Sequence, residues 1–486
     1  MRMPKESDMS QEQKDIYIDA PLHGKVIVTG PPGTGKTVIA FLRALTIAKS
    51  KKRVSVTMAQ NVLKEYSANA ADDEFRVLTI HQWWKDWWRN LEIAKDGQSQ
   101  NEVEMIKVGK NSRDAILLLG CSWMNKQAVH DLFGIPNNGD SGIFFYGRAR
   151  SWCIFKDKYE DNEDLFKPYT KARMEIPMMG DKGQDGQFDH DFDEIIDILS
   201  EKEEEIIQNK LNWGHLIIDE SQDFPKEMHQ TLKFISHAFF KHDSPGKAPA
   251  VTIFADENQR LYEDNSTIGD LIQAHNIDSK YQYSLSRNYR NTMEIALLAA
   301  TFYVGRPTGM PKIPERRGDK PKLKLFNNIN DSIQHIYSYA KLHENEEIAI
   351  FTQDHRQRKK YCKLISERID KDGNENLKVQ SYDYNDKDYK DPSKLTFDEG
   401  GIISVFTRSM SKGLEFDAVF VVEMQSILVD PEKIDEFRMN MYVLTSRARN
   451  NLTLMLNIDN NENDIDPQIL KYLPEPEKEI LEYPDD

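Results

Sequence analysis

Eight consecutive residues, Gly30-Pro31-Pro32-Gly33-Thr34-Gly35-Lys36-Thr37, satisfy the pattern GxxxxGK[ST] at each defining position. The pattern has a mechanism. Glycines let successive backbone N–H groups turn inward around phosphate oxygens, and the helix that follows adds the positive end of its dipole. Gly30, Gly33, Thr34 and Gly35 then shape the cradle, Lys36 bridges the phosphates, and Thr37 ligates Mg²⁺, with ATP as substrate. A second cluster, Asp219-Glu220-Ser221-Gln222-Asp223, ends an apolar run. An acid at the tip of a parallel strand stands where such sheets bind ligands. Asp219 is expected to hold Mg²⁺ through water, and Glu220 to polarise the attacking water. Alone, such acids also read as a helix cap. Beside a phosphate loop they describe phosphoryl transfer, which needs charge neutralisation and an oriented water.

These residues need a sheet to hold them. GKVIVT (24–29) reads as a short buried strand, TVIAFLRALTIAK (37–49) as the helix after it, and RVSVTM (53–58), HLIID (215–219) and VTIFA (251–255) as further strands. A second set follows: IAIFTQ (348–353), LKVQSY (377–382), IISVFT (402–407), AVFVVEM (418–424) and NLTLML (451–456). Short apolar strands alternating with helical stretches predict parallel sheets covered on both faces, hence an α/β class with two such domains. The expected division is residues 1–90 with 206–285 as the first domain and 286–458 as the second. A mainly helical insertion, 91–205, interrupts the first. The Pro-rich acidic end, 459–486, reads as a weakly ordered tail.

The net charge of −16 is local in origin. Residues 181–208 carry 11 acids against 2 bases, residues 459–486 carry 10 against 2, and the remainder sums to +1. A near-neutral body can still hold a basic groove, so composition is neutral about a polyanion partner. Three distant cysteines (Cys121, Cys153, Cys362) in no metal spacing exclude a disulfide scaffold or zinc module. No apolar run approaches the roughly 20 residues a membrane span needs, and the N-terminus has no apolar signal core. No membrane partner and a cytoplasmic location are expected.

The motifs taken in order resemble superfamily 1 helicases of the UvrD/Rep/PcrA type, whose second motif reads DExQD. Met9-Ser10-Gln11-Glu12-Gln13 resembles the Q motif, and Thr79-Ile80-His81 a TxH segment. Ala255-Asp256-Glu257-Asn258-Gln259 resembles motif III, Asn288-Tyr289-Arg290 motif IV, and Lys412-Gly413-Leu414-Glu415-Phe416 motif V. Tyr442-Val443 with Ser446-Arg447-Ala448 resembles motif VI. The matches run from residue 9 to 449 and imply two RecA-like motor domains with a 1B-like insertion. The resemblance places Gln13 and Tyr289 against adenine and Glu415 on the ribose. It puts Gln259, Arg290 and Arg447 at the γ-phosphate, Arg447 as an arginine finger. Thr79, His81 and Thr407 would touch a nucleic-acid backbone. It further implies single-stranded DNA as the track, RNA remaining open, and 3′→5′ movement.

The chain departs from this family in places. Ser409 stands where motif V usually carries His. Thr57-Met58-Ala59-Gln60 lacks the stacking Phe of motif Ia, Tyr262-Glu263-Asp264 lacks the Trp after motif III, and Val38 replaces an Arg that often stacks on adenine. Arg290 to Thr407 spans 117 positions, too few for the large insertion usual before motif V, whereas His81 and Asp219 are 138 positions apart. These departures keep a second reading open. It is a nucleotide-gated regulatory ATPase that controls a partner, such as a nuclease in an anti-phage defence complex, with little unwinding of its own.

Three further clusters carry two readings each. Trp83, Trp84, Trp87 and Trp88 have the spacing of a packed helix face, and of a base-stacking platform. Asp189-His190-Asp191-Phe192-Asp193-Glu194 reads as a solvated charged face before a helix, or as a metal site. Arg356, Arg358, Lys359 and Lys360 read as a solvated helix face or as phosphate contacts.

Overall fold

Apolar runs without polar alternation must be covered on both faces, which places them inside parallel sheets. In the computed structural model of the protein, six become the first sheet: β1 (Lys25–Thr29), β2 (Val54–Met58), β3 (Arg76–Thr79), β4 (His215–Ile218), β5 (Ala250–Ala255) and β6 (Gln282–Ser284). Six more form the second: β7 (Lys322–Phe326), β8 (Ile348–Thr352), β9 (Lys378–Ser381), β10 (Ile402–Thr407), β11 (Phe416–Val421) and β12 (Ala448–Asn457). The orders are β6-β1-β5-β4-β2-β3 and β7-β12-β11-β8-β10-β9, with parallel pairing throughout. The structure describes residues 9–484 except 59–61, 63–73, 96–102, 110–111, 120, 122–123, 138–140, 148–150, 171, 180–189, 245, 261–264 and 459–467.

The chain forms two compact units. One comprises Met1–Ile80, Gly214–Lys233 and His242–Asp486 and contains both parallel sheets. Helix Lys36–Lys49 buries Ile39, Ala40, Phe41, Ala44 and Ile47 there. Ile39, Phe41 and Ile47 each contribute roughly 1.5–3 kcal/mol on burial, the alanines less. Helices Ile329–Leu342 and His355–Asp372 cover one face of the second sheet through Ile333, Ile336, Tyr361 and Ile365.

The other unit comprises His81–Trp213 and Phe234–Lys241. Beside its helices it holds an antiparallel four-stranded sheet of Met105–Val108, Arg113–Leu118, Ser151–Phe155 and Ile143–Tyr146, in that order. The insertion expected to be mainly helical thus holds a sheet as well, whose strands are short and two of them half exposed, which leaves little periodicity in the sequence. All four tryptophans of helix Ile80–Leu91 are buried in packing. Trp83 stacks on Trp87 at 6.1 Å and meets Trp213 edge-on at 6.0 Å, while Trp84 meets Phe192 at 5.4 Å. They are core, not a base platform. In the acidic run, Asp191 caps helix Phe192–Glu201, whose Phe192, Ile195 and Leu199 are buried. Asp189 lies outside the described residues, and no group of three potential metal ligands occurs among the described ones.

Two other expectations need correction. The C-terminal segment is not a loose tail from residue 468 to 484. Ile469, Leu473 and Leu481 are buried in the core, Glu482 N–H donates to Pro321 O at 2.8 Å, and Leu323 N–H donates to Glu482 O at 2.8 Å. Its mean composition is acidic and Pro-rich, yet its few apolar residues find a sheet edge at β7. Residues 459–467 lie outside the described ones. Within the basic cluster, Arg358 is wholly buried and pairs with Asp383 at 3.1 Å and Asp386 at 2.6 Å. It is an internal ion pair, whereas Arg356, Lys359 and Lys360 are exposed.

Candidate nucleotide site

The strand order explains why distant motifs meet. β6, β1, β5 and β4 are neighbours, so their carboxyl ends lie side by side. Those ends carry Leu285–Arg290, the phosphate loop, Asp256 and Asp219 respectively, at the edge where parallel sheets bind ligands. Gly33 and Gly35 have φ of 79° and 85°, which a side chain disfavours. A Cβ on Gly33 would also stand 2.4 Å from Asn288 Oδ1. Gly35 caps helix Lys36–Lys49, directing its N-terminus at the loop.

Lys36 is buried. Its ammonium donates to Gly30 O at 2.6 Å and Pro31 O at 3.3 Å and stands 3.7 Å from Asp256 Oδ2. Thr37 Oγ1 donates to Asp219 Oδ2 at 2.7 Å. Burial and the adjacent Glu220 push the Asp219 carboxyl up to about 7, against Thr37 and Lys36. A hydroxyl and a carboxylate side by side are hard oxygen donors of the kind Mg²⁺ takes together with substrate phosphates. The donor set therefore fits Mg²⁺.

Glu220 sits at φ 51°, a left-handed conformation uncommon for a non-glycine residue and typical of functional sites. Burial pushes its carboxyl up, but Lys36, the Gln222 amide, Lys412 and Arg447 outweigh that and hold it below the usual range. It is therefore ionised at neutral pH and can accept a hydrogen bond. Gln222 Nε2 donates to Glu220 Oε2 at 2.7 Å, and Gln222 Oε1 accepts from Asp256 N–H at 2.9 Å.

From Asp256 a polar chain leads into the second domain. Gln259 Nε2 donates to Asp256 Oδ2 at 2.6 Å, and Arg447 Nη2 donates to Gln259 Oε1 at 2.9 Å. Burial, aided by Arg290 and opposed by Glu220, lowers the Arg447 pKa to about 9. It still carries its proton at neutral pH. A second bridge joins Lys412 to Asp223 at 2.5 Å.

Arg290 donates through Nε to Glu415 Oε2 at 2.5 Å and through Nη1 to Ser446 O at 3.3 Å. Arg449 takes the other Glu415 oxygen at 3.0 Å. Burial raises the Glu415 carboxyl, but the two guanidiniums bring it down to about 2. Here Glu415 is a partner of arginines, so a contact to ribose requires this pairing to loosen. Gln13 is buried and its amide donates to Thr34 O at 3.3 Å. Tyr289 is 41% exposed and lines an open pocket of about 560 Å³ with Ser10, Gln11, Glu12, Lys312 and Arg316. The Q-like segment and Tyr289 thus share one cleft.

The residues expected on a nucleic-acid backbone are more scattered. Thr79 ends β3 and is half-buried, and Thr407 ends β10, its hydroxyl 3.0 Å from that of Ser409. His81 belongs to the other unit, its ring 5.5 Å from that of His190. Met58 is wholly buried, so it presents nothing to stack on. Ala59, Gln60 and Tyr262–Asp264 lie outside the described residues.

Several further residues position the site without belonging to a recognisable motif pattern. Arg43 is buried and donates to Thr252 Oγ1 at 2.9 Å and to Ala20 O at 3.1 Å, clamping the segment that follows Gln13. Its signal was a lone arginine on an apolar helix face. Asn291 Nδ2 donates to Ala448 O at 2.6 Å and Ser446 O at 3.2 Å, tying motif IV to motif VI. Asp256 and Lys412 lay in plain view within motifs, but nothing local indicated their partners.

The chain matches the family described as an AAA domain over residues 13–265. Among solved structures it is similar to the C-terminal domain of a possible DNA helicase from Lactobacillus plantarum WCFS1. That likeness has 19% identity and a TM-score of 0.27, covering 40% of this chain and 98% of that one. No curated protein matches. Among the described residues, no helix is long and apolar enough to cross a membrane.

Proposed function

This chain belongs to the AAA domain family, and from that premise we propose that it is an ATP-driven nucleic-acid motor of the UvrD/Rep/PcrA type, a helicase or translocase. The observation that carries this reading is the chain Lys36–Asp256–Gln259–Arg447, which links the phosphate loop to the second domain through 3.7, 2.6 and 2.9 Å contacts. Lys36 exchanges the Gly30 carbonyl and Asp256 for the β- and γ-phosphates of ATP. Thr37 and Asp219 would hold Mg²⁺, which would supply positive charge to the phosphates. Glu220, ionised, orients the attacking water. Gln259 senses the γ-phosphate, while Arg447 and Arg290 stabilise its charge in the transition state. A finger of that kind contributes roughly 10³–10⁵ in rate in related nucleotidases. Gln13 and Tyr289 hold adenine, and Glu415 the ribose. Since Lys36 and Arg447 act from opposite domains, ATP favours their close apposition and hydrolysis releases it. A strand held at Thr79 and Thr407 is thereby passed along, 3′→5′ on single-stranded DNA, in the cytoplasm.

One observation favours a second reading. Met58, at the position where relatives of this type carry a stacking ring, is wholly buried. A nucleotide-gated ATPase that controls a protein partner, such as a nuclease in anti-phage defence, needs no such ring. ATP hydrolysis measured with and without single-stranded DNA separates the two. The motor reading expects stimulation that falls steeply with salt, since backbone contacts release counterions, and weak duplex unwinding by the chain alone. ATPase indifferent to DNA at low salt overturns it.

Glu220→Gln keeps Asp219 and Thr37 but removes the acid that orients water. Turnover is expected to fall at least about 10²-fold, within the range for a lost general base, while ATP stays bound. This ATP-bound form should differ from the nucleotide-free protein in affinity for single-stranded DNA. Equal affinity in both forms removes the coupling between hydrolysis and movement.

A further inference from the structure

β9 and β10 are joined by residues 382–401, a 20-residue connection with one short 3-10 turn. Connections of that length in a compact domain are usually functional. This one is firmly held. Arg358, with no exposed surface, donates to Asp383 and Asp386, and His355 Nδ1 lies 2.8 Å from Asp383 Oδ2. Asp383 N–H donates to Tyr389 O at 2.9 Å, and Asp386 N–H to Asp383 O at 3.0 Å. Further along, Gln380 and Thr396 exchange two hydrogen bonds of 2.8 Å, and Phe397 is buried.

From this locked loop one ring points out. Tyr384 is 78% exposed, although its neighbours Tyr382 and Asp383 are buried. A large apolar ring held in water by a pre-organised loop loses little entropy on binding, which is how Tyr serves recognition surfaces. Its place in the sheet narrows the ligand. β8, β10 and β9 are adjacent, with Ser381 opposite Val405, so Tyr384 leaves the carboxyl edge beside Thr407 and the start of helix His355–Asp372. On the loop and the first turns of that helix, Arg356, Lys359, Lys360, Lys387, Lys390 and Lys394 are exposed, alongside Asp354, Asp388, Asp391, Asp398 and Glu399. Asp383 and Asp386 are taken up by Arg358, and Asp386 also stands 3.6 Å from Lys359. An exposed ring at a sheet's ligand-binding edge, on a loop that also exposes Lys387 and Lys390, offers what single-stranded nucleic acid requires: a π-face for a base and cations for its phosphates.

We propose that Tyr384 is a base-stacking platform for single-stranded nucleic acid on the second domain, in the place of the rings missing from the first. The inference rests on the motor reading, and the test separates the two. Wild-type protein, Tyr384→Ala and Tyr384→Phe are titrated by fluorescence anisotropy against an oligothymidylate and a sugar-phosphate strand of equal length without bases. Stacking worth the lower end of the measured range means that Tyr384→Ala weakens the oligothymidylate at least about fivefold. The baseless strand should change less than about twofold, and Tyr384→Phe should restore the difference. Equal loss on both strands, or none on either, overturns the platform and leaves the motor reading standing. A wild-type protein that binds neither strand at low salt overturns both. Tight binding of both strands with no preference for bases assigns Tyr384 to a protein partner and overturns the platform alone.

Discussion

Lys36→Ala is expected to lower ATP turnover at least about 10³-fold while the protein remains folded. The ammonium is the cation closest to the loop that would receive the phosphates, and it is held there by two carbonyls rather than by solvent. A methyl group in its place leaves the γ-phosphate oxygens without that charge as negative charge shifts toward the leaving group, and buried electrostatic stabilisation of this kind is the largest contribution to such reactions. The fold should tolerate the change. Asp256 loses its near cation at 3.7 Å, but burial already pushes its carboxyl up, so it can take a proton. The cost to stability is then roughly 1–3 kcal/mol, that of one buried group losing a partner. Steady-state hydrolysis and a thermal melt on the same preparation check both halves. Turnover within about tenfold of wild type would sink the assignment of the loop.

Arg447→Ala is expected to lower kcat at least about 10²-fold with ATP affinity nearly unchanged, since a transition-state group contributes to rate rather than to ground-state binding. Its four contacts make this variant more than a charge deletion. Arg447 donates to Val443 O at 2.9 Å, Ser446 Oγ at 3.1 Å, Leu414 O at 3.4 Å and Gln259 Oε1 at 2.9 Å. Arg447→Lys keeps the charge but not the planar fork, and it should recover little of the loss. Gln259→Ala combined with Arg447→Ala should cost less than the two separately, because the pair acts as one contact. Arg290→Ala should resemble Arg447→Ala in kcat. If either arginine variant loses only ATP affinity, that residue is a binding group and the finger lies elsewhere.

What was legible beforehand follows from the range of each interaction. The phosphate loop, helix Lys36–Lys49 and the parallel strands rest on local rules: glycines at positive φ, a helix opening on its dipole end, and apolar runs with no polar alternation. Local rules can be read from consecutive residues, so GKVIVT, HLIID and IISVFT became strands at nearly the expected bounds. The order of those strands was not legible. Which carboxyl ends lie together depends on β6, β1, β5 and β4 being neighbours, and that placed Asp256 between Lys36 and Gln259. The antiparallel sheet of the insertion escaped because half-exposed four-residue strands leave a weak period. The docked end at Leu473 and Leu481 escaped because a few apolar side chains among acids and prolines look like solvent-facing chain until a sheet edge is there to receive them. The basic cluster at 356–360 split the same way: four cations alike in sequence, of which Arg358 alone turns inward, because Asp383 and Asp386 arrive from the next strand's loop. Sequence by itself determined the chemistry expected of this protein, a phosphate cradle with an adjacent acid pair. Tertiary structure decided which groups share charge, since Coulomb and hydrogen-bond contacts act over a few ångströms of space and take no account of the 188 positions between Gln259 and Arg447.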